Sequence, residues 1–177
     1  MALSDASIKR LIGEGKLTID PFDEGNLNPA GYDLRSAGEV VLEPGQHGLT
    51  STLEWISLPP DVLGILHVRS SFAREGLFAS LALVDPGFRG QLTVSIFNAG
   101  KGLLRIGCGE RFIQLTLVQL SGEAERPYKG RYQDSLGVVE SRRGLSLSVS
   151  LWKELYSFML KLYGGKVSYW QARGYMI

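Results

Sequence analysis

The sequence contains very few of the side chains that usually hold metal ions or form disulfides. Its 177 residues include one cysteine, Cys108, and two histidines, His47 and His67. A single cysteine can form no intrachain disulfide and cannot supply the several thiolates of a structural zinc site. Two histidines are likewise too few for a histidine-rich metal cluster. We therefore expect no metal ion held by protein side chains alone.

The sequence also lacks an excess of charge of either sign. Lys and Arg together number 19 and Asp and Glu number 18, so the formal net charge is +1. Proteins that mainly bind a nucleic-acid backbone usually carry a basic excess, and nucleic acid is therefore not an expected partner. A small anion held by two or three local charges is compatible with this balance.

Long apolar runs are absent as well. No stretch reaches the ~18 apolar residues of a membrane-spanning helix, and no apolar run follows a basic stretch at the N-terminus. We expect a soluble, cytoplasmic protein that has no membrane partner. With 44% hydrophobic residues, the chain can still bury a substantial core.

Short apolar runs separated by turn residues fill the middle of the chain. This spacing predicts an all-β fold, either a barrel or a sandwich. The predicted strands are Val40–Leu42, Gly48–Thr52, Trp55–Leu58, Val62–Val68, Ser80–Val84, Gln91–Phe97, Leu103–Ile106 and Phe112–Leu120, with a further short strand around residues 32–35. A short helix is predicted to open the chain before Gly13, and residues 70–75 can form one helical turn.

Two segments of different character follow residue 128. Residues 129–143 are polar and contain glycine, which predicts a mobile arm. Residues 151–163 are apolar almost all round and predict a helix, which Gly164 and Gly165 would end. We therefore expect a β domain with its arm over residues 1–143 and a helical extension over residues 144–177. Packing is the ordinary role of such an extension.

The first candidate site lies at the end of a predicted strand. It reads Arg69-Ser70-Ser71-Phe72-Ala73-Arg74. An arginine, two hydroxyls and the backbone N–H groups of a starting helix suit a phosphate group. The alternative is a serine cap on a short helix with arginines at the surface.

The second candidate site is Asp85-Pro86-Gly87-Phe88, after an apolar strand. A carboxylate in this position can orient and deprotonate an attacking water molecule, with a ring beside it. The alternative is an ordinary Asp-Pro-Gly turn.

The third candidate is Gln114, which lies between apolar residues of a predicted strand. A buried amide needs hydrogen-bond partners, which a ligand can supply. The alternative is an amide satisfied by neighbouring backbone.

Four motifs, in this order, resemble those of the trimeric dUTPase and dCTP deaminase superfamily over roughly residues 5–142. They are Asn28-Pro29-Ala30-Gly31-Tyr32-Asp33-Leu34-Arg35, Arg69 to Arg74, Val84 to Gly90, and Gly109-Glu110-Arg111-Phe112-Ile113-Gln114-Leu115. The resemblance implies a distorted, jelly-roll-like β-barrel and a homotrimer whose active sites are shared between subunits. It also implies a deoxynucleoside triphosphate as ligand and Mg²⁺ as cofactor, held through the phosphates and water.

The superfamily catalyses two reactions, and one residue separates them. The framework resembles the deaminases, for example at Arg126-Pro127-Tyr128. The deaminases place a Glu as general acid and base in the strand that follows Asp-Pro-Gly. Ser95 occupies the matching position here, with no base beside it in the sequence, and a lone serine does not cycle a proton near neutral pH. We therefore interpret the chain as a dUTP diphosphatase that forms dUMP and pyrophosphate.

In this interpretation, the resemblance assigns Asp85 to the water that attacks the α-phosphorus. Phe88 lies against the deoxyribose, and the backbone of residues 80–84, including Val84, reads the uracil edge. The phosphates are held by Arg69, Ser70, Ser71 and Gln114, with Gln114 supplied by a neighbouring subunit.

The remaining assignments concern the arm and three charged residues. Tyr128, Arg131 and Tyr132 are expected to close over the triphosphate as the arm orders. Arg74 and Arg111 either contact phosphate or form structural ion pairs, and Asp33 supports the phosphate-site arginines.

Two other functions remain open from the sequence. One is a dCTP deaminase, with or without diphosphatase activity. The other is a nucleotide-binding paralogue that does not catalyse a reaction.

Overall fold

The computed structural model describes residues 1–80 and 82–143. It contains helices α1 (Asp5–Gly13) and α2 (Ser70–Glu75), a 3₁₀ turn (Glu24–Asn26) and the strands β1 (Thr18–Asp20), β2 (Leu27–Asn28), β3 (Gly31–Arg35), β4 (Val40–Leu42), β5 (His47–Ser57), β6 (Val62–Val68), β7 (Leu77–Ala79), β8 (Leu83–Val84), β9 (Arg89–Asn98), β10 (Leu104–Ile106) and β11 (Arg111–Gln119). The helix predicted at residues 151–163 lies outside the described residues. The domain boundary after residue 143 stays a prediction.

The strands form three antiparallel sheets. The order is β1-β5-β9-β7 in the first sheet and β2-β3-β11-β6-β8 in the second, and β4 pairs with β10 in the third. The predicted all-β fold is confirmed. Within the described part of the chain, no sheet closes on itself into a barrel.

Buried and more exposed side chains alternate along the long strands, and the buried ones form the core. In β9 the side chains of Leu92, Val94, Ile96 and Asn98 are buried, whereas those between them are not. Because successive side chains of a strand point to opposite faces, one face of β9 packs inward and the other carries Gln91, Thr93, Ser95 and Phe97. The apolar residues of the inner face join one hydrophobic core. Burying each such aliphatic side chain contributes about 1.5–3 kcal/mol.

The predicted strands occur in the structure with small changes of their bounds and two larger differences, and β1, β2 and β7 have no counterpart among them. β5 runs through both predicted strands 48–52 and 55–58, because an irregularity between Ser51 and Trp55 absorbs the change of register. Only the last two residues of the predicted strand 80–84 form a strand: β8 begins at Leu83 in the second sheet, whereas β7 ends at Ala79 in the first. The chain between Ala79 and Leu83 therefore passes from the first large sheet to the second.

Residues 133–139 of the arm, which the sequence predicts to be mobile, are hydrogen-bonded along β9. β7 pairs with residues 96–98 of β9. The same edge of β9 has no β7 partner over its earlier residues. Ser135 occupies this edge, where it forms a parallel bridge with Gly90 and accepts a hydrogen bond of 2.8 Å from the Gln91 N–H. Open backbone groups on a strand attract such partners.

Gly90 is required for this close approach. Its φ is +138°, and a Cβ at this position would lie 2.8 Å from the backbone nitrogen of Ser135. Any larger residue would therefore both strain the backbone and push the arm away.

Candidate functional site

Arg69 lies between β6 and α2 and is held in place by two neighbouring strands. Its Nε lies 3.1 Å from the carboxylate of Asp33 on β3, whose side chain is 5% exposed. Its Nη1 donates to the backbone carbonyl of Arg111 at 3.2 Å. The expected contact between Asp33 and a phosphate-site arginine is therefore present, and it fixes the guanidinium at the start of α2.

Gln114 lies on the same sheet as this ion pair. In the register of β11 it is opposite Asp33 on β3 and His67 on β6. Its side chain is half-buried. Ser70 and Ser71 are exposed in the first turn of α2, immediately after Arg69. The structure therefore brings Arg69, Ser70, Ser71 and Gln114 of one chain to the same end of the five-stranded sheet. This differs from the expectation that a neighbouring subunit supplies Gln114, because the pairing of β11 with β6 places Gln114 beside Arg69 of its own chain.

Arg74 and Arg111 form hydrogen bonds to the backbone. Arg74 Nη1 donates to the Ser70 carbonyl at 3.3 Å, and Arg111 Nη1 donates to the Gly25 carbonyl at 3.1 Å. Both side chains are exposed. These contacts are structural, and they leave other guanidinium N–H groups for an anion.

Arg69 and Arg111 also line one open cleft. Its volume is about 560 Å³, and Arg35, Asp23 and Glu110 contribute to the same walls. Three arginines therefore meet two carboxylates in this cleft, which is polar but not strongly cationic.

Asp85 follows β8 and begins a tight turn. Its side chain is exposed, and its carbonyl accepts a hydrogen bond of 3.1 Å from the Phe88 N–H. Phe88 is 7% exposed, and its ring centroid lies 5.7 Å from that of Tyr128. The Tyr128 N–H in turn donates to the Pro86 carbonyl at 2.8 Å. The structure therefore brings Asp85, Phe88 and Tyr128 together, next to the buried Val84.

The beginning of the arm continues from Tyr128. Its hydroxyl accepts a hydrogen bond of 3.2 Å from the Tyr132 N–H. Tyr132 is 37% exposed and Arg131 is also exposed. Closure of these side chains over a triphosphate stays a prediction.

The two groups of candidate residues lie at opposite ends of β6. Arg69 follows the last residue of β6, whereas Val84 pairs with Gly64 near its start and places Asp85 beside Leu63. Leu63 and Arg69 are six residues apart along the chain, which corresponds to roughly 20 Å at about 3.3 Å per residue. Within a single chain, Asp85 therefore lies far from Arg69 and Gln114.

Ser95 has a base beside it, which corrects the interpretation of the sequence. Ser95 Oγ and His47 Nε2 lie 2.9 Å apart and share a hydrogen bond. Leu49 is the register partner of Ser95, and His47 is two residues away on the same face of β5. The two residues are 48 positions apart in sequence, so that only the pairing of β5 with β9 reveals this contact. Sequence reasoning missed His47 for this reason.

Among residues 1–80 and 82–143, no three His, Cys, Asp or Glu side chains lie close enough together to hold a metal ion. No helix in the same part of the chain combines the length and the apolar character needed to cross a membrane.

Comparison with known proteins gives one family match and many relatives. Residues 35–120 match a family model described as dCTP deaminase-like. A dCTP deaminase of Thermococcus kodakarensis is 42% identical over 158 residues, which cover 81% of this chain and 99% of that protein. A dUMP-forming dCTP deaminase of Aquifex aeolicus is 36% identical over 170 residues, with 80% and 94% covered.

Solved structures resemble the fold at lower identity. A dUTPase from phage phi11 of S. aureus, whose structure describes a structural Mg(II) ion, superposes with a TM-score of 0.51. It is 23% identical, and the match covers 66% of this chain and 98% of that one. This likeness supports the dUTPase-like fold.

Proposed function

The chain belongs to the dUTPase and dCTP deaminase superfamily, and from this premise we propose that it is a dCTP deaminase, which converts dCTP and water to dUTP and ammonia. The observation that carries this proposal is the 42% identity to a dCTP deaminase, which extends over nearly the whole of that protein. This observation favours deamination over the dUTP diphosphatase activity expected from the sequence.

The geometry supports a triphosphate as the ligand. Arg69 is oriented by Asp33, and two exposed serine hydroxyls and the Gln114 amide lie at the same end of the sheet. Guanidinium and hydroxyl donors suit phosphate oxygens. In this proposal Mg²⁺ is held through the phosphates and water, as the resemblance to the superfamily implies.

The separation of the two residue groups supports active sites shared between subunits. Asp85 and Phe88 lie near the start of β6, and Arg69 and Gln114 lie near its end. A second copy of the chain can place its phosphate-side residues against the Asp85 side of the first. We therefore include the homotrimer in the proposal, with Phe88 against the deoxyribose and residues 80–84 along the base.

A dUTP diphosphatase is the second candidate. The exposed carboxylate of Asp85 and the absence of any carboxylate from residues 91–97 favour it. In this reaction, Asp85 orients a water molecule for attack on the α-phosphorus, and pyrophosphate leaves. An enzyme with both activities would convert dCTP to dUMP.

Product analysis with separate substrates tests the proposal. The purified full chain is incubated with Mg²⁺ and either dCTP or dUTP, and anion exchange resolves the products while ammonia is assayed. Deamination predicts ammonia and dUTP or dUMP from dCTP.

The outcome that would overturn the proposal is dUMP from dUTP with dCTP unchanged, which establishes the diphosphatase. The variant Asp85→Asn should then abolish dUMP formation, whereas Asp20→Asn, at an exposed site at the end of β1, should not. Binding of both nucleotides without turnover would indicate a paralogue that does not catalyse either reaction.

A further inference from the structure

The outer face of β9 is covered by the arm for only part of its length. Thr93 Oγ1 accepts a hydrogen bond of 2.9 Å from the Val139 N–H, and the Gln91 amide oxygen accepts one of 2.6 Å from the Gly137 N–H. Beyond Thr93, the next outward side chain is Ser95, whose hydroxyl contacts His47 instead of the arm. The His47–Ser95 pair therefore lies just beyond the last of these arm contacts.

The position of this pair relates it to the proposed base pocket. The Ser95 carbonyl accepts a hydrogen bond of 2.9 Å from the Ser80 N–H, at the start of the connection between the sheets. Asp85 lies five residues beyond Ser80, so that at most about 18 Å of extended chain separates their backbones. The pair and Asp85 therefore lie at the two ends of residues 80–84, which we expect to follow the base.

The chemistry of the pair suits proton transfer. Imidazole is the side chain that ordinarily gains and loses a proton between pH 5 and 8. A serine hydroxyl bonded to an imidazole nitrogen can pass its own proton to that nitrogen while accepting one from water, as in other serine–histidine pairs. His47 is exposed and Ser95 is half-buried, so that solvent and a ligand can both reach them.

We propose that His47 and Ser95 form the proton-transfer pair for hydrolytic attack at C4 of the cytosine base, with His47 acting through the Ser95 hydroxyl. This inference rests on the proposed dCTP deaminase function. It assigns the proton-transfer role to an imidazole on β5, in a chain whose β9 residues 91–97 include no carboxylate.

The proposed steps balance in atoms and charge. The water oxygen bonds to C4, the C4–N3 π pair moves to N3, and the water proton passes through Ser95 Oγ to His47 Nε2 and then to N3. The same pair next moves the proton of the new C4 hydroxyl to the amino group. The C4–N4 bond breaks, ammonia leaves and C4=O forms, so that one water is consumed per ammonia released.

Steady-state kinetics with dCTP test the inference in the full-length protein. His47→Gln retains a polar side chain but cannot carry the proton, and it should lower kcat about 100-fold, within the usual contribution of general acid–base catalysis. The KM for dCTP should change little, because the pair acts on the reacting atoms and not on the phosphates. Ser95→Ala removes the hydroxyl and should produce a similar loss.

Rescue separates proton transfer from a structural role. Ser95→Glu in the His47→Gln background supplies a carboxylate at the same point of β9 and should recover part of the lost kcat. Ser121→Ala, at an exposed position after β11, is the matched serine control and should retain the wild-type kcat. Thermal unfolding midpoints confirm that each variant is folded.

The outcomes distinguish the inference from the function on which it rests. A wild-type protein that deaminates dCTP, with a His47→Gln variant of unchanged kcat, would overturn the inference and keep the function. A loss of kcat in His47→Gln that Ser95→Glu does not recover would also overturn it. A wild-type protein that releases no ammonia from dCTP would overturn both.

Discussion

Glu54 joins the two large sheets through a buried ion pair with Arg35. Glu54 belongs to β5 and its side chain is 0% exposed, whereas Arg35 ends β3 in the other sheet. Arg35 Nε lies 2.6 Å from one carboxylate oxygen, and the Arg35 backbone N–H donates to the other at 2.9 Å. The hydrogen bond to Glu54 raises the pKa of the Arg35 guanidinium. This contact therefore fixes the relative position of the sheets next to the cleft of Arg69.

Removing this carboxylate should destabilise the fold strongly. Glu54→Ala leaves the guanidinium of Arg35, only 18% exposed, with Asp23 at 3.8 Å as its remaining acidic neighbour. Breaking a buried pair in this way costs about 3 kcal/mol of unfolding free energy or more. Urea denaturation followed by circular dichroism measures the change.

An exposed pair provides the matched control for Glu54→Ala. Glu24 pairs with Lys9, and their side chains are 73% and 49% exposed. Exposed pairs contribute little, so that Glu24→Ala should change the free energy by about 0.5 kcal/mol or less. Equal losses in the two variants would show that burial of Glu54 has no special effect.

Asp33 should influence substrate affinity through Arg69. Asp33→Asn keeps the size of the side chain but removes the charge that orients the guanidinium at 3.1 Å. Loss of one well-placed phosphate contact, about 1.4 kcal/mol, corresponds to a tenfold change. We expect the KM for the nucleotide to rise about tenfold with a smaller effect on kcat.

Initial-rate kinetics against nucleotide concentration check the prediction for Asp33. Asp20→Asn, at the exposed end of β1, should leave the KM unchanged. A variant at Asp33 that loses kcat alone would contradict a positioning role at the phosphates.

Acid should weaken the attachment of the arm to β9. Arg89 Nε lies 2.5 Å from one oxygen of Asp134, and Nη2 lies 3.0 Å from the other. The hydrogen bond from Arg89 lowers the pKa of the Asp134 carboxyl below its ordinary value. A carboxyl whose pKa is lower in the folded state stabilises the fold above the unfolded pKa and loses this effect as the pH falls through the folded value.

The lowered pKa of Asp134 predicts how the difference in melting temperature between the wild type and Asp134→Asn depends on pH. The wild type should be the more stable protein at pH 7, and the difference should shrink below about pH 4. Both side chains are exposed, so that the effect should be small and should decrease in high salt. A difference that grows toward acid pH would contradict the assignment.

Local signals in the sequence predicted most of the strands and the composition of the candidate site. β4 and β6 begin and end at the predicted residues, because short apolar runs and flanking turn residues are local features. The start of α2 after Arg69 was predicted in the same way. These patterns also identified Asp85 and Gln114 as candidates.

The features that the sequence did not reveal are contacts between distant segments. The arm at residues 133–139 was expected to be mobile, but the open edge of β9 binds it around Ser135. No local pattern in a polar, glycine-containing segment shows that a strand edge elsewhere lacks a partner.

The sequence alone determined the family resemblance, the all-β class and the identity of Ser95 at a position where the deaminases carry a Glu. Only the tertiary structure decided that His47 lies beside Ser95 and that Asp85 and Arg69 lie at opposite ends of β6. Strand register has this effect because it brings together residues that are far apart in the chain, and a shift of one residue would turn every side chain to the other face.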